Sequence, residues 1–329
     1  MKHRKRAMGR IAVQVLAVLY LICGWSAQAN AGAMLLHTYA NFLGLEVTPL
    51  VAVGSAKLTP LLPSGYSMVP AAAFGVGGSD QGLVAMVNFE GLGQATDHGA
   101  PHDQVAIDIA VLVAEPAMAA SAGLSIPGAF HLYTLAIYTN DARYAASLRD
   151  ADMPVEFVDG IGYARAIDDA SGVGDLTVTV PSDPAALKTA ASALGYSPAP
   201  GALNAIFWYA GSDGTVALHY HGEPFRQGNA IAEVSTQPGS KWEALLAGGG
   251  LGPCPSDPDT GFSCISAPAL NFRYDDGTEG RLLLISAVPE PPGLGLLSIG
   301  WLLLAAAARN RFAVAGTDPR RTQIRHCRT

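Results

Sequence analysis

Two histidines and a glutamate in the second half of the chain have residue types that suit a metal site. His219 and His221 are separated by one residue. Because side chains alternate between the two faces of a strand, both imidazoles would lie on the same face. Glu223 follows, and two imidazoles with a carboxylate can hold a transition metal. The simpler interpretation is a pair of histidines exposed on a strand, and a metal site in a metal-dependent enzyme is the alternative.

Other motifs for catalysis or cofactor binding are not found in the sequence. No Gly-x-Ser-x-Gly motif, which would place a nucleophilic serine at a sharp turn, occurs in the chain. The glycine-rich stretch 75–78 is not followed by a helical pattern, which argues against a phosphate-binding loop. We therefore expect no cofactor.

The segments that must position these residues are mostly strands. They are short apolar runs rich in Val, Ile, Leu and aromatic residues, and turn residues bound each of them. The predicted strands are Leu45–Val53, Gly82–Glu90, Val105–Ala114, Phe130–Thr139, Asp175–Val180, Leu203–Ala210, Thr215–His221, Leu270–Tyr274 and Arg281–Ser286.

Helices are few. The pattern predicts one from Asp141 to Asp150, a second opened by Ser182 and ending at Gly195, and a short third over Lys241–Ala247. The fold class is therefore mainly β, a β-rich barrel or sandwich with two or three covering α-helices, plus a single C-terminal transmembrane helix.

Two segments of this pattern also resemble a known enzyme family. The turn at residues 61–66, Leu-Leu-Pro-Ser-Gly-Tyr, follows a predicted strand. The strand Phe130–Thr139 leads into the alanine-rich helix and then into Asp152-Met153-Pro154. Residues 45–180 thereby resemble the acetoacetate decarboxylase family, in which a strand–helix unit leads into a glycine-aromatic-proline-lysine-lysine segment. The resemblance implies a closed, cone-like β-barrel with an apolar ligand cavity.

The catalytic lysine of that family does not carry over to this chain. The two positions after the proline are Val155 and Glu156, and a Schiff base needs an amine nucleophile with a depressed pKa. Only Lys57, Lys188 and Lys241 remain between the two ends of the chain. Lys57, beside the turn, is the one alternative for a lysine-dependent enzyme. The resemblance therefore implies binding rather than decarboxylation.

The C-terminal part of the chain has three features in a fixed order. Pro289-Glu290-Pro291 precedes the uncharged apolar run Leu294–Ala308, which is followed by Arg309 and Arg311. Residues 288–311 resemble the PEP-CTERM sorting signal of exported bacterial proteins, which implies transient anchoring in the inner membrane and processing by an exosortase. A transmembrane helix over 293–308 would be short for a bilayer, and the arginines would hold its end in the cytoplasm. The alternative is a buried C-terminal helix.

The N-terminus predicts export. A basic stretch up to Arg10 precedes the apolar segment Ile11–Gly24 and small residues that suit cleavage after Ala31 by signal peptidase. An uncleaved anchor is the alternative. The predicted organisation is a signal peptide at 1–31, an exported β-rich domain at 32–287, the sorting signal at 288–311 and a basic cytoplasmic tail at 312–329.

Charge and cysteine content agree with an exported, acidic domain. Residues 32–308 carry nine basic and 26 acidic side chains, a net charge of −17, which would repel a phosphate backbone and excludes nucleic acid as a partner. Cys23 and Cys327 lie in the terminal segments. In an oxidising compartment, Cys254 and Cys264 are expected to form a disulfide. The alternative is a cation-binding loop between these two cysteines.

The sequence thus favours an exported, exosortase-processed protein at the cell surface or outside the cell. Its domain is expected to bind a small apolar or carboxylated ligand, or a surface component, without Schiff-base catalysis. The alternatives are a metal-dependent or lysine-dependent exported enzyme and a structural protein of the extracellular matrix.

Overall fold

The computed structural model describes residues 33–97, 99–181, 187–197, 201–254 and 262–285. All of these residues belong to one unit, residues 31–287. The predicted signal peptide (1–31), the sorting signal (288–311) with its membrane helix and the basic tail (312–329) lie outside the described ranges. Within those ranges, no helix has the length and apolar character needed to span a bilayer.

Strands dominate the described chain. In chain order they are β1 (Ala33–Asn41), β2 (Leu43–Gly54), β3 (Gln81–Thr96), β4 (His102–Val113), β5 (Phe130–Thr139), β6 (Val155–Phe157), β7 (Gly162–Arg165), β8 (Val173–Val180), β9 (Leu187–Tyr196), β10 (Gly201–Gly211), β11 (Gly214–Thr236), β12 (Gly252–Pro253), β13 (Ser263–Tyr274) and β14 (Thr278–Ile285). Every strand predicted from the sequence is confirmed. The limits of Phe130–Thr139 coincide with those of β5, whereas the other predicted strands differ from the observed ones at one end or both, most of all at β11, which continues to Thr236. The mainly β class is confirmed with them.

Seven of the strands close into a barrel. The order β13-β2-β3-β4-β5-β10-β11 forms a ring because β13 also pairs with β11. Each pairing in the ring is antiparallel except β5 with β10, where Phe130 pairs with Ala205 in parallel. Of the two architectures predicted from the sequence, a barrel and a sandwich, the structure therefore has the barrel.

The length of β11 makes this closure possible. The first half of its 23 residues pairs with β10 and β14, and the second half pairs with β13 and β9. From β14, the pairing continues through β1 to the end of β3, and from β9 it continues through β8 to β7. One strand therefore joins the barrel to an additional layer.

The helices are short. They are α1 (Ser55–Leu58), α2 (Met118–Ser121), α3 (Ala142–Asp150) and α4 (Lys241–Leu246), with 3-10 turns at Thr59–Leu61, Ala71–Phe74 and Ala247–Gly249. Two of the three predicted helices, α3 and α4, are confirmed. The side chain of Asp141 accepts a hydrogen bond from the backbone N–H of Arg143 and so caps α3.

The predicted helix that would end at Gly195 is wrong, because residues 187–196 form β9. Leu187, Thr189, Ala191 and Ala193 are buried and the residues between them are more exposed, which is the period of a strand. Both neighbours of β9, β8 and β11, supply pairing partners. This pairing outweighs the helix preference of an alanine-rich segment.

The two faces of the barrel wall pack differently. On β4, Ile107, Ile109 and Val111 belong to a core on the outer side, which includes residues of β8, β9 and α4. Ala106 belongs to a second hydrophobic cluster on the other face of the wall. This cluster also contains residues of α3. Since the faces alternate along a strand, Asp108 lies on the same side as Ala106.

The predicted disulfide is confirmed: Cys254 is joined to Cys264. It links the end of β12 to the start of β13. The alternative, a cation loop, falls on residues 255–261, which lie outside the described ranges.

Candidate ligand-binding site

A cavity of about 260 Å³ lies on the inner face of the barrel wall. Every second residue along several strands faces this cavity, as expected from the alternation of side chains in a strand. These residues are 46, 48 and 50 of β2, 85, 87 and 89 of β3, and 270, 272 and 274 of β13. Its apolar lining consists of Leu50, Phe74, Ala85, Val87, Phe89, Ala106, Leu112, Phe130, Leu132, Leu203, Ala205, Phe207, Leu270 and Phe272. Phe74 is the most exposed of these apolar side chains, at 42%.

Small residues leave room for the large aromatic side chains in this cavity. Gly222 lies on β11 at the cavity wall, and a Cβ atom added there would collide with the ring of Tyr274. The ring of Tyr274 lies 6.3 Å from that of Phe272 and 6.3 Å from that of Phe89, between centroids. A fourth ring, Tyr220, lies 6.5 Å from Phe89.

Asp108 brings a carboxyl group to this apolar surface. Only 3% of the residue is exposed, and its Oδ1 atom has no hydrogen-bond partner among the described residues. Burial and, to a smaller extent, the nearby charge of Glu46 together raise the pKa of Asp108 to about 8. Asp108 is therefore mostly protonated at neutral pH and can donate a hydrogen bond into the cavity.

Glu46 supplies a second carboxyl group. Its Oε1 accepts a hydrogen bond of 2.5 Å from the hydroxyl of Thr48, and its Oε2 accepts one of 2.7 Å from the hydroxyl of Tyr274. Burial raises the pKa of Glu46 above its ordinary value, although both hydrogen bonds act in the opposite direction. Glu46 keeps some accessible surface because it faces the cavity.

The cavity wall contains no basic side chain among the described residues. Its polar members are the two carboxyl groups together with Thr48, Tyr220, Gln227, Tyr274 and Thr278. The hydroxyl of Tyr220 lies 2.5 Å from that of Tyr144 on α3. The chemistry available here is therefore hydrogen bonding and negative charge within an apolar, aromatic enclosure.

The predicted metal ligands lie on the opposite face of β11 from Tyr220. As expected, His219 and His221 share a face: Nε2 of His219 and Nδ1 of His221 lie 2.9 Å and 3.2 Å from the same Oδ1 atom of Asn204. Glu223 lies 3.6 Å from His221. Burial, with smaller effects from the charges of His221 and Arg281, lowers the pKa of His219 to about 4.

His219 therefore stays neutral over a wide pH range, and it shares an amide partner with His221. One group of three possible ligands within 4.8 Å of one another occurs in the described part of the chain, Glu233 with Cys254 and Cys264. Because both cysteines are in the disulfide, that group is not a metal site. A metal at His219, His221 and Glu223 stays a prediction.

Lys57, the candidate for a lysine-dependent enzyme, and the other two lysines do not line the cavity. The ammonium group of Lys57 donates to the backbone oxygen of Ala244. Lys188 lies on β9, and Lys241 lies 4.9 Å from the ring of Trp242, between nitrogen and centroid. Val155 is buried on β6 and does not line the cavity. A lysine-dependent reaction inside the barrel therefore has no amine among the described residues.

Glu46 and Asp108 were not predicted from the sequence as site residues. Both occur in predicted strands, and Asp108 is a single charge within the apolar run 105–113. A single carboxyl group in such a strand could have indicated a site residue, since a charged side chain is rarely buried in a strand without a partner. Their proximity could not be read from the sequence because the two residues lie on different strands, separated in the ring by β3.

No family model matches the chain, and no curated protein matches it. Solved structures do. The enduracididine biosynthesis enzyme MppR complexed with pyruvate is 12% identical, with a TM-score of 0.43 over 76% of this chain and 90% of that one. An acetoacetate decarboxylase-like enzyme from Sphingomonas wittichii is 6% identical, with a TM-score of 0.42 over 76% and 91%. Acetoacetate decarboxylase from Legionella pneumophila is 10% identical, with a TM-score of 0.37 over 77% and 88%.

The family that the sequence motifs resemble is thus among the solved structures to which this chain is similar. At these identities and TM-scores, no residue role, substrate or activity is carried over from them to this chain.

Proposed function

We propose that this protein binds a small, mainly apolar ligand inside its barrel and does so without Schiff-base catalysis. The observation that carries the proposal is an aromatic-lined cavity with two buried carboxyl groups and no amine among the described residues. Its volume of about 260 Å³ exceeds the roughly 150 Å³ that accommodates benzene in an engineered protein cavity. A ligand of about one ring with a short polar substituent fits this space.

The charges in the cavity favour one of the two classes of small ligand, apolar or carboxylated, that were expected from the sequence. A carboxylated ligand would have to share the cavity with Glu46 and Asp108, and none of the described lining residues carries a positive charge. Two carboxylates in one site repel each other unless one of them is protonated. The cavity therefore favours an apolar ligand over a carboxylate.

We expect Ala205→Phe to weaken ligand binding strongly. Ala205 lines the cavity on β10, so the added ring would occupy the space of the ligand. With benzyl alcohol as the probe, titration calorimetry on the purified protein should show at least about a tenfold loss of affinity, or about 1.4 kcal/mol. Ala210→Phe is the matched control, because Ala210 is exposed on the same strand.

Equal affinities for benzyl alcohol in the two variants would contradict a binding site in the barrel. If benzyl alcohol, benzylamine and benzoate all failed to bind the unmodified protein, the proposed function would be wrong.

We also propose the route by which this domain reaches its place of action. Signal peptidase would remove residues 1–31 during export, and an exosortase would process the chain at the sorting signal around Pro289, Glu290 and Pro291 while Arg309 and Arg311 remain in the cytoplasm. The disulfide between Cys254 and Cys264 supports this route, since such bonds persist in oxidising compartments. The final location would be the cell surface or the extracellular space.

Export predicts the behaviour of a reporter fusion. Alkaline phosphatase, which is active only outside the cytoplasm, should be active when it is fused after residue 287. Deletion of residues 1–31 should abolish that activity, because the basic and apolar segments that direct translocation are then lost. Activity measured in intact cells provides the readout. An inactive fusion that retains residues 1–31 and accumulates to the same level would refute export.

A further inference from the structure

The cavity combines negative charge with aromatic rings and lacks any positive side chain among the described residues. Asp108 on β4 and Glu46 on β2 are close enough for the charge of Glu46 to influence ionisation of Asp108. The other ionisable groups whose charges interact with Asp108 are Tyr144 on α3 and Tyr220 on β11. All of these groups are acids, so a cation is the ligand charge that would complement them.

Asp108 has an atom available for such a ligand. Glu46 already accepts hydrogen bonds from Thr48 and Tyr274, whereas Oδ1 of Asp108, buried to more than nine-tenths, has no partner among the described residues. An unpartnered buried carboxyl costs free energy. A ligand that donates a hydrogen bond to Oδ1 would recover that cost in the complex.

The aromatic rings add a second attraction. Phe89, Tyr220, Phe272 and Tyr274 line the same space as the two carboxyl groups. The faces of aromatic rings attract cations, and organic ammonium ions are bound in this way. The remaining lining is aliphatic, which suits a hydrocarbon or ring attached to the ammonium group.

We propose that the ligand is a small organic amine, bound as an ammonium ion with its nitrogen at Asp108 and Glu46 and its apolar part against the rings. This inference rests on the proposed ligand-binding function and names the class of ligand. No covalent bond forms or breaks. The ammonium group donates to the carboxylate of Asp108, and the proton that Asp108 held in the free protein passes to solvent.

The proton release gives the proposal a distinctive readout. Because Asp108 is mostly protonated in the free protein at pH 7, amine binding should release close to one proton, which calorimetry in buffers of different ionisation enthalpy measures. The affinity for benzylamine should rise about tenfold per pH unit up to about pH 8. The affinity for benzyl alcohol, which has the same ring and no charge, should change little over this range.

Two isosteric variants test the assigned contacts on the full-length protein. Asp108→Asn should weaken benzylamine binding at least about tenfold at pH 8 and abolish proton release, because a charge-assisted hydrogen bond is lost. Glu46→Gln should weaken it in the same direction and serves as the second test if Asp108→Asn does not fold. Benzyl alcohol should lose less affinity than benzylamine in both variants, because it carries no charge to pair with the carboxylate.

Two outcomes distinguish this inference from the proposed function. If benzyl alcohol binds and benzylamine binds no more tightly at pH 8, or binds without proton release, the amine proposal is overturned while ligand binding stands. If benzoate is the tightest of the three probes, the amine proposal is likewise overturned. If none of the three binds, the proposed function fails together with this inference.

Discussion

Relative to the wild type, an Asp108→Asn variant should gain stability steadily as the pH rises from about 4 to 8. In the unfolded chain this carboxyl group ionises near pH 3.8, whereas burial raises its pKa to about 8 in the fold. Between these values the folded state holds a proton that the unfolded chain has released, so raising the pH favours unfolding. The stabilisation is complete below pH 3.8 and is lost by about pH 8, at up to about 1.4 kcal/mol per pH unit.

The difference between the two proteins isolates this carboxyl group. His219 acts in the opposite direction, because its pKa is lowered to about 4 in the fold and its neutral form is favoured as the pH rises to 6.5. That contribution is the same in both proteins and cancels. Urea unfolding at several pH values therefore measures the effect of Asp108 alone, which should reach several kcal/mol.

Asp213→Asn controls for the loss of a formal charge, since Asp213 lies in the exposed turn between β10 and β11. Its stability curve should follow that of the wild type. A curve for Asp108→Asn that runs parallel to the wild type would show that Asp108 is ionised in the fold. The protonated donor assigned to the cavity would then have to be abandoned.

The sequence predicted the strands of this fold better than their arrangement. Alternation and apolar runs mark strands such as Phe130–Thr139, whose predicted and observed limits coincide. Pairing is decided by contacts between distant segments. The parallel pair of Phe130 with Ala205 and the antiparallel pair of Ile231 with Pro268 close the barrel, and neither leaves a local signal. The same reason explains β9, where two neighbouring strands override local helix preference.

The candidate site was the part least accessible to sequence reasoning. His219 and His221 stood out because their spacing is local, and the structure confirms only that they share a face. Glu46 and Asp108 lie on separate strands, so their shared cavity exists only once the ring has closed. A sequence motif can identify site residues that are close together in the chain. The residues that line this cavity instead come from most of the barrel strands.

Replacing Gly277 by alanine should destabilise the protein by about 3 kcal/mol or more. Gly277 lies in the turn between β13 and β14 with a φ of +80°, which alone costs an alanine about 1 to 2 kcal/mol. A Cβ atom at this position would also overlap the backbone oxygen of Asn41, and such overpacking typically costs about 1 to 3 kcal/mol. Urea unfolding measures the sum of the two effects.

The overlap with Asn41 should also affect the cavity, because Asn41 contacts a residue of the cavity wall. The amide of Asn41 donates to the hydroxyl of Thr278 at 2.6 Å and accepts from the backbone N–H of Thr278 at 3.1 Å. Thr278 lines the cavity, so displacement of Asn41 should also weaken benzyl alcohol binding.

Gly65→Ala separates collision from backbone strain, because Gly65 has a comparable φ of +95° and a Cβ atom there would meet nothing within 4 Å. It should cost only about 1 to 2 kcal/mol, for the backbone conformation alone, and leave benzyl alcohol binding unchanged. Equal losses of stability in the two variants would show that β1 yields to the added methyl group. In that case the contact between Asn41 and the turn would not fix this end of the barrel, and the position of Thr278 at the cavity wall would depend on the pairing of β14 with β11 alone.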